Sequence, residues 1–125
     1  MVTGARCLGI EVQPAHVATA QECAQRLRLS RVRFTPQDAR SADISSGTVF
    51  YLYSPFTGSI LTDVLSLLRI ESRNRSIKIC SLGPCPRAVA NETWLKASSQ
   101  PKPDALPSSS LKEYIIAEAL IQVCQ

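Results

Sequence analysis

The sequence predicts a three-layer α/β domain around a mostly parallel sheet, and three observations point to it. Short β-prone runs alternate with helical stretches in the order strand, helix, strand, loop, strand, helix, strand. That alternation is the pattern of a parallel sheet covered by helices. Two strand runs, RCLGIEV at 6–12 and TVFYLY at 48–53, are largely apolar along their length, as strands buried on both faces are. The chain has 125 residues, enough for one domain, and its 45% hydrophobic against 19% charged residues excludes a wholly disordered chain.

Each element has a local cause. Arg6 to Val12 reads as a buried strand that closes on a carboxylate, Glu11. Gln13-Pro14 opens a helix, because proline's missing N–H costs nothing in a first turn. Val17, Ala20, Ala24 and Leu27 recur at three- and four-residue spacing and form its inward stripe, while Arg26 and Arg28 suit the negative end of its dipole. Arg31 to Thr35 alternates and is expected at or near a sheet edge. After a polar loop, Thr48 to Tyr53 is expected centrally. Ser54 to Gly58 then leads to a helix over 59–72, striped by Ile60, Leu61, Val64, Leu67 and Leu68. Ser76 to Leu82 is a fourth strand, ended by Gly83-Pro84. Beyond it, Arg87 to Ala97 is expected as one irregular helix containing Trp94. The organisation is a domain over 1–97, a Pro/Ser-rich linker over 98–110 and a terminal segment, 111–125, that admits helix or strand.

Composition narrows the partners. The net charge is +4, with Arg26, Arg28, Arg31 and Arg33 in one group and Arg69, Arg73, Arg75 and Lys78 in another. No interleaved aromatic pattern or DNA-reading motif accompanies them, so they read as solvated ends of elements and no nucleic-acid partner is expected. Five cysteines form an odd set with no CxxC pair, which points to buried thiols in a reducing compartment. Cys80 and Cys85 have no neighbouring His or Cys to complete four ligands, so no metal is expected. No signal-peptide apolar region follows Met1, and the apolar run Tyr114 to Cys124 is too short to span a bilayer. A cytoplasmic location without membrane contact is expected. His16 is the one histidine and reads as a surface residue; no Ser/His/Asp arrangement or P-loop is present.

Ligands of parallel sheets bind outside the carboxyl ends of the strands. Glu11, Asp38 and the segment Tyr53-Ser54-Pro55-Phe56 all fall at such ends. A carboxylate there can accept both hydroxyl hydrogens of a ribose diol, and a second can accept from the exocyclic amine of an adenine. These residues carry a resemblance. GIEVQPAHVATAQECAQRLRLSRVRFTPQDAR resembles the second-strand to third-strand segment of the Rossmann-like class I S-adenosylmethionine (SAM)-dependent methyltransferases. In that family a strand ends in Glu or Asp, an Ala-rich helix follows, and the next strand leads to an Asp-Ala pair. GTVFYLYSPFTGSILTDVLSLLR resembles its fourth strand, substrate loop and next helix, and SIKICSLGPC its fifth strand.

The resemblance implies SAM as cofactor, Glu11 on its ribose, and Asp38 with the backbone N–H of Ala39 on its adenine. It places Ser54 and Phe56 in the substrate loop. Amine methyltransferases of this family often carry Asn or Asp at the first loop position, followed by Pro-Pro and an aromatic. Ser54 leaves only a hydroxyl to orient an acceptor, which stays unassigned, and Phe56 would wall its pocket. The family's first strand and glycine-rich turn have no counterpart before Arg6. That strand lies between the two halves of the family's sheet, beneath the cofactor. The expectation is therefore a SAM-dependent methyltransferase-like domain keeping the adenosine half of a SAM site, with methyl transfer to an unknown acceptor. The alternative is a non-catalytic Rossmann-like interaction domain or a truncated inactive fragment. A sheet open in its middle would offer an edge to a second copy or a partner chain.

Overall fold

The computed structural model describes residues 4–53, 58–82, 85–96 and 120–124. The elements are β1 (Cys7–Glu11), α1 (Pro14–Arg26), β2 (Val32–Pro36), a 3₁₀ turn (Ala39–Ser41), β3 (Val49–Tyr53), α2 (Gly58–Asn74), β4 (Lys78–Leu82), α3 (Cys85–Ala90) and β5 (Leu120–Cys124). They make a mixed α/β fold on a five-stranded sheet of order β2-β1-β5-β3-β4. β1 pairs in parallel with β2, and β3 with β4. β5 pairs antiparallel with both β1 and β3, so four strands run one way and β5 alone runs the other.

This corrects one expectation. The middle of the sheet is not open: the chain's own terminal segment forms β5 and occupies the slot between β1 and β3. The β-branched Ile121 and Val123 suit that extended state. The linker over 98–110 lies outside the described residues, as do Ser54 and Phe56.

Backbone direction follows from two bonds. Cys7 N–H donates to the Arg31 carbonyl and Gln37 N–H to the Glu11 carbonyl, each at 2.9 Å. Odd residues of β1 thus turn their backbone to β2, and Leu8 and Ile10 turn theirs to β5. On β2 the same alternation leaves residues 32, 34 and 36 on the outer side. Pro36 has no N–H to offer there, and Gln21 Nε2 donates to the Phe34 carbonyl at 3.1 Å. The outer edge of β2 is blunted against strand addition.

The β1–α1–β2 crossover steps toward one edge of the sheet and β3–α2–β4 toward the other. With right-handed crossovers, α1 and α2 lie on opposite faces. The larger core joins Ile10, Phe50 and Leu52 to Leu61, Val64, Leu65 and Leu68 of α2, with Ala39 and Ile44 from the β2–β3 connection. Under α1, Val17 and Ala24 are buried. Leu27 is not: it is 69% exposed, because the helix has already ended. Leu29 N–H reaches back to the Ala24 carbonyl at 2.8 Å and Arg28 takes φ +53°, the left-handed cap conformation usually given to glycine. At the start of α2 the same region of φ is taken by Gly58, at +59°.

α3 is shorter than the continuous helix expected to residue 97. Asn91 N–H already bonds back to Ala88, and Glu92 N–H bonds to Val89, each at 3.2 Å. These three-residue steps tighten and end the helix. Trp94 packs against the core and donates its ring N–H to Glu92 Oε2 at 2.6 Å. Among the described residues, no helix is long and apolar enough to cross a membrane.

Candidate functional site

The site is the rim where β1 and β2 end. Parallel register sets Glu11 beside Pro36, and the Gln37–Glu11 backbone bond holds the following segment against β1. Glu11 therefore closes β1, and Asp38 follows β2 by two residues, where it caps the 3₁₀ turn beyond the same carboxyl edge.

Glu11 is 5% exposed and is the buried charged residue among those described. Burying a carboxylate is costly unless hydrogen bonds offset it. Here Oε1 accepts from Gln13 N–H at 2.8 Å. That donor belongs to the residue that caps α1, whose own side chain makes no cap bond. The bond therefore satisfies the helix entry and the carboxylate together. Among the described residues, Oε2 accepts no hydrogen bond and no cation pairs with the group. Glu11 keeps acceptor capacity at the end of a strand.

Asp38 is in the opposite condition. Its Oδ1 accepts from Arg40 N–H at 2.8 Å, which caps the 3₁₀ turn. The Arg40 guanidinium then grips the same carboxylate, with Nε at 3.1 Å from Oδ1 and 3.2 Å from Oδ2, and Nη2 at 2.6 Å from Oδ2. A carboxylate has about four acceptor positions, and three N–H donors of this one residue, with Nε shared between the two oxygens, take most of them. Arg40 Nη1 also lies 3.9 Å from Asp63 Oδ2 on α2. Ala39, the first residue of the turn, is buried.

The Arg40 side-chain hydrogen bonds, then its backbone N–H, lower the Asp38 carboxyl from 3.8 to about 2, and Asp38 raises Arg40 in return. Since the folded value lies below the unfolded one, the pairing stabilises the fold above about pH 4 and is lost as pH falls through about 2. Its contribution is small, because the two side chains are 46% and 40% exposed. An NMR titration of the Asp38 carboxyl carbon should show a midpoint near 2, moving up toward the ordinary carboxylate range in Arg40→Ala, where only the backbone N–H still lowers it. A midpoint indifferent to that substitution would contradict the pairing.

The expected site residues divide accordingly. Glu11 ends β1, and Asp38 and Ala39 begin the turn that follows β2 beyond the same edge of the sheet, while Ser54 and Phe56 lie outside the described residues. Arg40 was missed. Its signal was present as the local Asp-Ala-Arg run, in which a turn brings a cation two residues on back over the carboxylate.

A separate hollow of about 620 Å³ lies along the last turns of α1 and β2, lined by Gln21, Ala24, Arg28, Leu29, Val32 and Phe34 among others. No carboxylate lines it, and neither Glu11 nor Asp38 reaches it. Among the described residues, no cluster of three or more His, Cys, Asp or Glu could hold a metal ion. Comparison with protein-family models, with curated proteins and with solved structures finds no match to this chain.

Proposed function

We propose that this is a Rossmann-like, methyltransferase-like domain whose carboxyl edge takes the adenosine half of SAM. The observation that supports this reading is the buried Glu11 carboxylate, with acceptor capacity to spare, on a rim shared with Asp38 and Ala39. The ribose diol would donate to Glu11, the adenine amine to Asp38, and the Ala39 N–H would donate to a ring nitrogen. The order β2-β1 and β3-β4 on either side of the sheet also agrees with the family's arrangement. The chemistry that SAM supplies is a sulfonium methyl, transferred directly to a nucleophile as the carbon–sulfur bond breaks. The protein's part is to orient the two reactants and exclude water.

One observation favours the second reading, a domain that does not transfer methyl. β5 fills the slot that the family gives to its first strand, and it runs antiparallel. It therefore brings its amino end to the cofactor edge, where the family has the glycine-rich turn that cradles the methionine part of SAM.

Calorimetry with SAM and with adenosine tests the site, and detection of S-adenosylhomocysteine with candidate nucleophiles separates the two readings. Glu11→Gln keeps the size of the side chain and an oxygen for Gln13 N–H, but removes the charge. Hydrogen bonds to a charged group contribute ~1.5–3 kcal/mol, so binding should weaken by about 10- to 100-fold. Unaltered affinity in this variant, or no heat from the unmodified protein at millimolar ligand, would overturn the nucleoside site. Binding of adenosine without turnover of SAM would support the second reading.

A further inference from the structure

We propose that Arg40 sets the base selectivity of this rim by occupying Asp38 until an amino-bearing purine displaces it; this rests on the nucleoside reading above. Acceptor bookkeeping carries the inference. Glu11 has one hydrogen bond and keeps an oxygen for a ligand, whereas both oxygens of Asp38 are engaged by Arg40, through its backbone N–H, its Nη2 and an Nε–H shared between them. In this arrangement the ribose half of the site is ready and the base half is engaged by the protein's own cation. An amine that reaches Asp38 must compete with the guanidinium for these two oxygens.

Two features make that movement available. The pair is exposed, at 46% for Arg40 and 40% for Asp38, so water can take up the released charge. Asp63 lies beside Arg40, with Oδ2 already 3.9 Å from Nη1, and offers the guanidinium a second partner. The backbone N–H of Arg40 stays on Oδ1 and keeps the turn capped while the side chain leaves. Arg40 is thus a specificity-determining residue that competes with the ligand for one carboxylate.

Adenosine and purine riboside, identical except for the exocyclic amine, are the probes. Calorimetry on the unmodified protein and on Arg40→Ala should show adenosine binding about two- to fivefold tighter in the variant, the range set by an exposed ion pair. Purine riboside affinity should not change, a split that general loosening of the turn would not produce. In an Asp38→Asn background, Arg40→Ala should bring no gain for either ligand, because the shared carboxylate is gone. Equal gains for both probes, or none for adenosine, would overturn the role of Arg40 while leaving the nucleoside site standing if the unmodified protein binds. Failure of both probes to bind either protein would remove the nucleoside reading and this inference with it.

Discussion

A chain ending before Leu120 is expected to lose its cooperative unfolding transition. β5 joins two halves that do not otherwise touch within the sheet, pairing with β1 over Cys7 to Ile10 and with β3 over Val49 to Tyr53. Without it, β1/β2 and β3/β4 become separate two-stranded pairs, and isolated pairs are marginal in water. The backbone groups of Leu8 and Ile10 that face β5 would lose their partners beside buried Ile10, at about 1–3 kcal/mol each. Several such losses together match a total stability of ~5–15 kcal/mol. Urea denaturation followed by circular dichroism should give a sigmoidal transition for the full chain and a broad, non-cooperative loss for the shortened one. Ile121→Pro probes the same strand more gently. Its N–H faces β1, and proline there removes a ladder bond from a central strand and leaves a buried acceptor unpaired, at about 1–3 kcal/mol. A shortened chain with an unchanged midpoint would show that β5 does not hold the sheet together.

The next largest effect is expected at Phe50, a fully buried residue of β3. It shares one core with Leu61, Val64, Leu65 and Leu68 of α2, and the Arg75 guanidinium lies 5.9 Å from its ring centroid. Arg75 is itself tied to Glu71 at 3.1 Å and to the Ile44 carbonyl at 2.8 Å. Phe50→Ala should remove roughly 3–5 kcal/mol, the range for emptying an aromatic site in a core. The loss combines transfer of the ring, the cavity left behind and the cation–π contact of Arg75. Urea midpoints at constant m-value measure it directly. A loss below about 1 kcal/mol would mean that the site collapses around the missing ring.

The elements with strong local patterns were legible in the sequence. Val64 and Leu68 of α2 lie on the predicted stripe and are buried, and Pro14 stands at the start of α1 as its missing N–H requires. Strand β2 is at the edge and β3 has a neighbour on each side, as their compositions suggested. What could not be read was long-range placement. Leu111 to Cys124 carried apolar residues compatible with either helix or strand, and only pairing across the whole chain decides that Leu120–Cys124 is a central strand. The end of α1 was likewise misjudged, because Arg28 adopts a backbone state that composition assigns to glycine. At the site, the positions of Glu11 and Asp38 followed from strand order, but the grip of Arg40 on Asp38 depends on how a three-residue turn folds.

The most direct measurement is a map of backbone amide shifts as adenosine is added to the isotopically labelled full chain. Changes should concentrate at Glu11 to Gln13 and Gln37 to Arg40, on the rim where β1 and β2 end. Changes centred instead on the hollow between Gln21 and Phe34, or none at saturating nucleoside, would contradict a nucleoside site built on Glu11.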